Sequence, residues 1–236
     1  MLVSLDTSTL TLSLALLNAA GEVVEHRLVG PPKRQSEVLP GEVESLLAAH
    51  GKTLRDVTGF VTGLGPGSFT GLRIGLSTIK GLAYALKVPA VGASSLAALA
   101  HEAGAGKWFA CAVVKKGELY VGRYDGALLV KPEYSLTVAQ LAEELKATPD
   151  AKMIGPALTD YRGPLEALGV SASSFADGPL IPSAVSLAKL VTLPASYVAQ
   201  AVFALEPHYL RGSGAEENPK FPPLPGVEPR ARLKED

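Results

Sequence analysis

The first thirty residues alternate apolar and polar side chains in the way that is typical of a strand meander. Residues 2–5 form a short apolar run that ends in Asp6-Thr7-Ser8-Thr9, and residues 10–17 alternate leucines with Thr, Ser and Ala. Asn18-Ala19-Ala20-Gly21 then turns the chain into a third run, residues 22–29. The pattern predicts three short strands that are joined by tight turns.

Helical spacing begins after Pro31-Pro32. Ser36 is predicted to cap a helix that extends to about His50, and Gly51 ends it. A strand over residues 57–61, a glycine-rich turn, a helix over 69–86, a strand over 88–91 and a helix over 96–102 follow.

The second half repeats this order. We expect strands over residues 108–114, 118–124 and 127–134, a helix capped by Thr137 to about residue 147, a strand over 151–154, a helix over 157–168, and a last helix that starts at Ser183 or Ser186. The predicted division is a first lobe over residues 1–104 and a second over 105–211. Residues 212–236 are rich in Gly, Pro and charge, which predicts a disordered tail.

The most constrained stretch is the glycine-rich turn at residues 63–75, GLGPGSFTGLRIG. Its spacing lacks the lysine of a Walker A loop, and it does not match a dinucleotide fingerprint. Ser68 is predicted to cap the following helix.

The helix after this turn has an apolar face and a second face of mostly small residues. Leu72, Leu76, Ile79, Ala83 and Leu86 form one apolar stripe, while Gly71, Gly75, Thr78, Leu82 and Ala85 follow a smoother side. Packing against the chain's own sheet and packing against a partner both remain open for the smoother side. If it faces a partner, Gly75→Leu should leave the fold intact and weaken pairing.

Composition narrows the function. The 236 residues are 47% hydrophobic, with 22 basic against 23 acidic residues, so strong binding of nucleic acid by the chain alone is not expected. The start of the chain lacks a basic signal region and no run reaches about 18 apolar residues, so we expect a cytoplasmic protein without a membrane span.

The sequence gives little support for a metal site or for a catalytic nucleophile. The four histidines lack metal-site spacing, so no metal site is predicted, and Cys111 has the features of a structural thiol. Ser68 has no base to activate it. Asp6, Thr7 and Ser8 are the candidate nucleotide or turn residues: Asp6 either caps its own turn or holds a nucleotide-bound magnesium.

The duplicated strand-helix pattern with Asp6-Thr7-Ser8 after the first strand resembles the actin-like ATPase superfamily, with its duplicated ribonuclease H-like fold in two lobes. In that superfamily a second turn completes the phosphate clamp. Here the matching turn is Val114-Lys115-Lys116-Gly117, without Asp or hydroxyl groups. Independent nucleotide hydrolysis is therefore not expected, and a small-molecule kinase or ATPase that uses Asp6 is the alternative.

Three pieces together resemble the bacterial TsaB (YeaZ) family: residues 5–8, residues 65–75 and Pro207-His208-Tyr209-Leu210-Arg211. The resemblance implies a non-catalytic subunit that pairs with its paralogue TsaD and with TsaE, and that forms a homodimer when alone. The complex attaches a threonylcarbamoyl group to the adenosine beside the tRNA anticodon. This chain would therefore interact with tRNA only indirectly, through the complex.

The resemblance also implies where the partners meet. The first-lobe helices would form the interface, with Leu39, Val43 and Leu46 from the first helix beside the glycine face. No cofactor is expected on the subunit alone, and ATP with magnesium is a candidate ligand of the complex. Gln35-Ser36-Glu37 and Val114-Lys115-Lys116 depart from the family's common His-Ser-Glu and Asp-Ala-Arg.

Overall fold

The computed structural model describes residues 1–30, 35–178 and 180–208, without the side chains of residues 35–37. The predicted tail and Tyr209-Leu210-Arg211 lie outside these residues. In chain order the elements are β1 (Leu2–Asp6), β2 (Leu12–Leu17), β3 (Val23–Val29), α1 (Gln35–Ala48), β4 (Gly59–Gly63), α2 (Phe69–Leu86), β5 (Ala90–Ala93), α3 (Ser95–Ala103), β6 (Lys107–Lys115), β7 (Glu118–Asp125), β8 (Leu128–Thr137), α4 (Val138–Ala147), β9 (Ala151–Ile154), α5 (Leu158–Ala167), α6 (Ala184–Leu190) and α7 (Ala199–Phe203).

Two mixed sheets carry the fold. The first has the strand order β3-β2-β1-β4-β5, and the second has the order β8-β7-β6-β9. In each, an antiparallel meander of three strands is extended by a parallel strand beside the first, β4 next to β1 and β9 next to β6. The predicted duplicated α/β fold with two lobes is confirmed.

The helices form layers on these sheets. Helices α1 and α2 cover one face of the first sheet, and α4 packs on the second with α5 beside it. Helices α3 and α6 lie between the sheets, where α3 contacts β6 and β7 while α6 contacts β1 and β4. Each of these two helices therefore packs on the sheet of the other half of the chain; the domain boundaries at residues 104 and 211 stay predictions.

Local signals explain most element ends. Ser68, Ser94, Thr137 and Ser183 cap α2, α3, α4 and α6 by accepting backbone N–H bonds, as Ser and Thr do before a first helical turn. The predicted cap at Ser36 is wrong, because α1 already includes Gln35 and Ser36. Helix α7 was not predicted from the sequence.

The glycines of α2 differ in their surroundings. Gly75 is buried against the turn after β1, where an added Cβ would lie 2.3 Å from Thr7 Oγ1 and 3.3 Å from Leu5 Cδ1. Gly81, on the same helix, is exposed, and an added Cβ would meet nothing within 4 Å. The expectation that Gly75→Leu leaves the fold intact is wrong, because the space that a leucine side chain would need is filled by Thr7 and Leu5.

A polar cluster joins the two sheets. The Glu133 carboxylate on β8 is only 8% exposed and accepts hydrogen bonds from the Tyr124 hydroxyl, at 2.7 Å, and from Ser94 Oγ. His208 Nδ1 lies 3.8 Å from Glu133 Oε2, and the His208 N–H donates to the Leu64 carbonyl at 2.8 Å. The C-terminal end of the described chain is thus tied to both lobes.

We predict opposite effects of the same substitution at the two glycines of α2. Gly75→Ala should lower the free energy of unfolding by about 1–3 kcal/mol because the new methyl group overpacks a closed contact. Gly81→Ala should raise it by about 0.5–1 kcal/mol, since alanine in open space only reduces the entropy of the unfolded chain. Urea unfolding of both variants measures this, and equal stability of the two would contradict the packing described above.

The His208–Glu133 pair predicts a pH dependence. The nearby Glu133 carboxylate raises the pKa of His208, against the smaller effect of burial. A raised folded-state pKa stabilises the fold below the ordinary histidine value of about 6.5, and this contribution is lost as pH rises through the raised pKa. Because His208 is half exposed, the effect should stay under about 1 kcal/mol.

Urea unfolding of wild type and His208→Gln between pH 5.5 and 9 tests this. The stability difference should be largest at the acid end and shrink as pH rises. In a Glu133→Gln background the same comparison should lose its pH dependence. A difference that stays constant over the whole range would show that the pair does not titrate as described.

Candidate functional site

The turn after β1 is closed and held by its own hydrogen bonds. Asp6 is fully buried; its Oδ1 accepts from the Ser8 N–H at 2.8 Å and from the Ser8 hydroxyl, and its Oδ2 accepts from Ser95 Oγ at 2.6 Å. Burial raises the pKa of the Asp6 carboxyl, and the hydrogen bonds from Ser8 and Ser95 act in the opposite direction. Both carboxylate oxygens are therefore engaged inside the protein.

The glycine-rich turn between β4 and α2 covers Asp6-Thr7-Ser8. The Ser68 N–H donates to the Ser8 carbonyl at 2.7 Å, and a Cβ at Gly67 would lie 2.5 Å from that carbonyl oxygen. A Cβ at Gly63 would lie 2.0 Å from Asp6 Oδ2. Glycine is needed at Gly67 because the two turns are in backbone contact, and at Gly63 because the Asp6 carboxylate occupies the space of a side chain.

This contact decides what the first turn can hold. A magnesium-bound nucleotide would need open carboxylate oxygens at Asp6 and space for phosphates beside Thr7 and Ser8. The structure instead fills that space with the glycine-rich turn, so these residues do not fit a nucleotide in this conformation. Asp6 and Ser8 form a structural turn, and Ser68 caps α2 through the Gly71 N–H at 3.2 Å.

The opposite hairpin offers no second half of a phosphate clamp. Lys115 Nζ lies 3.1 Å from Glu118, within the β6–β7 hairpin. The Gly117 N–H donates to the Tyr161 hydroxyl of α5 at 2.8 Å. In the described part of the chain, His, Cys, Asp and Glu side chains do not gather in groups of three that could hold a metal ion.

Most of the residues predicted for a partner surface lie inside the protein. Leu39, Val43 and Leu46 of α1 have no exposed area, and Gly71 and Gly75 of α2 are buried as well. These five residues are buried within the chain itself, so the prediction that they form a partner surface is wrong. Thr78 and Leu82 are partly exposed.

The exposed small residues of α2 share only Ala85 with the smoother side that the sequence predicts. Ser77, Gly81 and Ala85 follow one another at intervals of four residues, and all three are exposed. Gly81 comes six residues after Gly75, which turns it by about 240° around the helix axis. Helix α1, which packs beside α2, also exposes small residues, Gly41 and Ala48. The glycines predicted for a partner surface therefore lie on the inner side of the helix.

A groove of about 650 Å³ lies at the N-terminal half of α2. Phe69, Ile74 and Pro207 give it apolar walls, and Arg73 and Lys80 add two cations. The Arg73 guanidinium carbon lies 3.9 Å from the centre of the Phe69 ring.

The C-terminal half of α2 is partly covered by α7. Lys80 Nζ donates to the Phe203 carbonyl at 2.8 Å, and the Tyr84 and Phe203 rings lie 5.5 Å apart. Sequence periodicity could not reveal this contact because it joins residues more than a hundred positions apart. The open part of α2 is therefore its small-residue stripe and the groove.

None of the helices in residues 1–30, 35–178 and 180–208 combines the length and the apolar character that crossing a bilayer requires.

Comparisons with known proteins agree with this architecture. The family model for TsaD, tRNA N6-adenosine threonylcarbamoyltransferase, matches residues 32–128. The Escherichia coli tRNA threonylcarbamoyladenosine biosynthesis protein TsaB is 35% identical over 128 residues, which cover 52% of this chain and 54% of that protein. The Bacillus subtilis TsaB is 32% identical over 154 residues, 61% of this chain and 66% of its own. The chain thus spans about half to two thirds of these curated relatives.

Two solved structures from Pseudomonas aeruginosa extend the match over most of the chain. An uncharacterised protein with similarity to the peptidase YeaZ superposes with a TM-score of 0.73 at 29% identity, over 89% of this chain and 99% of its own. YeaZ itself superposes with a TM-score of 0.63 at 30% identity, over 80% of this chain and 89% of its own. With its two lobes and its glycine-rich turn closed on the first strand, the chain belongs to the TsaB (YeaZ) family.

Proposed function

We propose that this chain is a non-catalytic scaffold subunit in the biosynthesis of tRNA threonylcarbamoyladenosine. The names of the E. coli and B. subtilis relatives support the pathway. The match of residues 32–128 to the TsaD model supports a paralogous relation to the transferase. Paralogues that share a fold can pair through equivalent surfaces, so a TsaD-type subunit is the proposed partner.

The observation that carries the non-catalytic assignment is the closed turn at Asp6. Both carboxylate oxygens accept hydrogen bonds from Ser8 and Ser95, and the side chain is fully buried. An actin-like kinase or ATPase would need this carboxylate open to a metal-bound water. The kinase alternative therefore requires an opening of the glycine-rich turn that nothing in the described geometry favours.

The outer face of α1 and α2 is the proposed docking surface. Ser77, Gly81 and Ala85 lack long side chains, so a helix of the partner can approach α2 closely. A docked interface of ordinary size buries about 800 Å² of accessible surface on each partner. Its apolar part contributes about 25 cal/mol of binding free energy per Å², before the costs of association.

The remaining parts of the assembly follow from the same proposal. The α1 and α2 surface can also pair with a second copy, which makes a homodimer the expected state of the chain alone and a competitor of the partner. TsaE and tRNA are proposed to join the complex rather than the lone subunit. ATP with magnesium is proposed to bind only at sites that the complex completes.

Leucine substitutions on the stripe test the docking surface. Gly81→Leu and Ala85→Leu should fold normally, because both positions are exposed and the Cβ position at Gly81 is open. Each should weaken binding of the TsaD-type subunit from the same organism by about tenfold or more, since a long side chain holds the helices apart. Calorimetric titration measures the Kd, and urea unfolding checks the fold.

Ala147→Leu is the matched control, because Ala147 is an exposed helical alanine on the second lobe. Its Kd should equal that of wild type. Wild-type affinity in both α2 variants would remove the stripe from the interface. Absence of any complex with the wild-type chain would contradict the proposed function itself.

A further inference from the structure

Large apolar side chains lie exposed at the edge of the second sheet. Leu128, Leu129 and Val130 follow one another at the start of β8, and they are 71%, 45% and 61% exposed. Among the described residues, β8 is the outermost strand of its sheet on this side. An exposed apolar edge strand invites pairing with other chains, and natural proteins usually cover or interrupt such an edge. These three residues, the β8 patch, therefore need a cover.

A small cavity adjoins the β8 patch. Its volume is about 190 Å³, and Val130 lines it together with three aromatic residues, Trp108, Phe109 and Tyr124, and with charged residues. Grooves with aromatic walls bind proline-rich segments, because the polyproline II conformation is extended, has no internal hydrogen bonds and loses little entropy on binding. The patch and the cavity together favour a segment that combines prolines with apolar side chains.

The C-terminal part of the chain contains such a segment. Residues 221–227 have the sequence FPPLPGV, in which Phe221, Leu224 and Val227 recur at intervals of three. A polyproline II helix has three residues per turn, so in that conformation these apolar side chains share one side. Residues 212–220 and 228–236, by contrast, are mostly Gly, Pro and charged residues. The segment is therefore the apolar part of the tail.

The described chain reaches β8 just before residues 209–236 begin. The His208 N–H donates to the Leu64 carbonyl at 2.8 Å, and His208 Nδ1 lies 3.8 Å from Glu133 Oε2. Glu133 comes three positions after Val130 on β8, which is about 10 Å along a strand. A random coil of the length of residues 209–220 has an r.m.s. end-to-end distance of about 20 Å. The FPPLPGV segment is therefore within reach of the β8 patch.

We propose that residues 221–227 dock on the β8 patch of the same chain, with their apolar side chains against the patch and the cavity beside Trp108. Attachment through a short linker gives the segment an effective concentration in about the millimolar range, so a contact of modest affinity is occupied most of the time. A second copy lacks this advantage and is the less suitable occupant. The docked segment covers the edge of the second sheet and prevents β8 from pairing with other chains. This inference does not depend on the proposed function.

A nitroxide spin label in the tail of the full-length chain tests the docking. Gly226→Cys provides the attachment site, because Cys111 is buried and is the chain's single native cysteine. In ¹⁵N spectra, the amide signals of the β8 patch should lose about half of their intensity or more, because the tethered segment is docked most of the time. Reduction of the nitroxide should restore these signals.

Two pairs of variants, each in the spin-labelled chain, locate the contact. Leu128→Ser with Val130→Ser removes apolar surface from the patch, and Leu28→Ser is its control, since Leu28 is a 53% exposed leucine on β3, an edge strand of the first sheet. Phe221→Ser with Leu224→Ser removes apolar side chains from the segment, and Leu233→Ser, elsewhere in the tail, is its control. Both double variants should abolish the intensity loss in β8, and both controls should retain it.

Trp108 gives an independent readout because it is the only tryptophan in the chain. Quenching of its fluorescence by acrylamide should rise about twofold in the Phe221→Ser and Leu224→Ser double variant, because the docked segment shields apolar surface from water. Leu233→Ser should be quenched like wild type. Urea unfolding of every variant checks that the fold is kept.

Three results would overturn the inference. The first is full β8 signal intensity in the spin-labelled wild-type background, and the second is an intensity loss that persists in the patch double variant. The third is the same loss in a mixture of spin-labelled chains without ¹⁵N and ¹⁵N chains without the label, because the occupant is then a second copy. All of these measurements use the chain alone, so a failure here leaves the proposed function standing. Loss of the TsaD-type complex would likewise leave this inference standing.

Discussion

The backbone contact between the turn after β1 and the turn before α2 is the constraint on which the rest of this structure depends. Gly67 meets the backbone of Ser8 there, while Gly63 at the end of β4 and Gly75 in α2 face the side chains of Asp6 and Thr7. At each of the three glycines an added Cβ would lie 2.5 Å or less from its neighbour. Glycine at these points lets the first strand, the glycine-rich turn and α2 meet without a gap. The position of α2 on the sheet follows from that.

The same contact separates this chain from a nucleotide-hydrolysing relative of similar architecture. Asp6 is fully buried, and hydrogen bonds from Ser8 and Ser95 compensate part of the cost of burying a carboxylate. A side chain used in this way stabilises a turn. In the function proposed above, the chemistry is left to a partner, and this chain contributes the surface of the helix that the contact positions.

The inner and outer faces of α2 have different roles. Gly75 faces the sheet, where no side chain fits, while Gly81 faces outward with open space. The inner glycine is a requirement of the fold, and the outer glycine permits close approach by another protein. Arg73 and Lys80 add charge to the outer side, and α7 contacts α2 at Lys80 and Tyr84.

The sequence predicts this fold well where local signals dominate. The bounds of α2 follow from Ser68 and the apolar stripe, Thr137 identifies the start of α4, and the alternation of residues 10–17 predicts β2. The sequence does not predict elements whose position depends on long-range contacts. Helix α7 has five residues and no side-chain cap, and contacts with α2 hold it in place.

Dependence on long-range contacts also explains why the sequence alone does not identify the outward face of α2. Glycine spacing identifies a close approach, but it cannot say whether the neighbour is the chain's own turn or another protein. The prediction that Gly71 and Gly75 face a partner is therefore wrong: both are buried, and Thr7 occupies the space beside Gly75. Ser77, Gly81 and Ala85 carry the same spacing, and only the burial of the opposite face shows that they are the outward set.

The measurement that tests the central claim most directly is the rate of tRNA threonylcarbamoylation in a reconstituted reaction, with wild type, with Asp6→Asn and without this chain. The account predicts that the reaction requires this chain and that Asp6→Asn, checked for its fold, supports the wild-type rate, because Asp6 has a structural role. Turnover of magnesium-ATP by the isolated chain that Asp6→Asn abolishes would contradict the account and establish the kinase alternative.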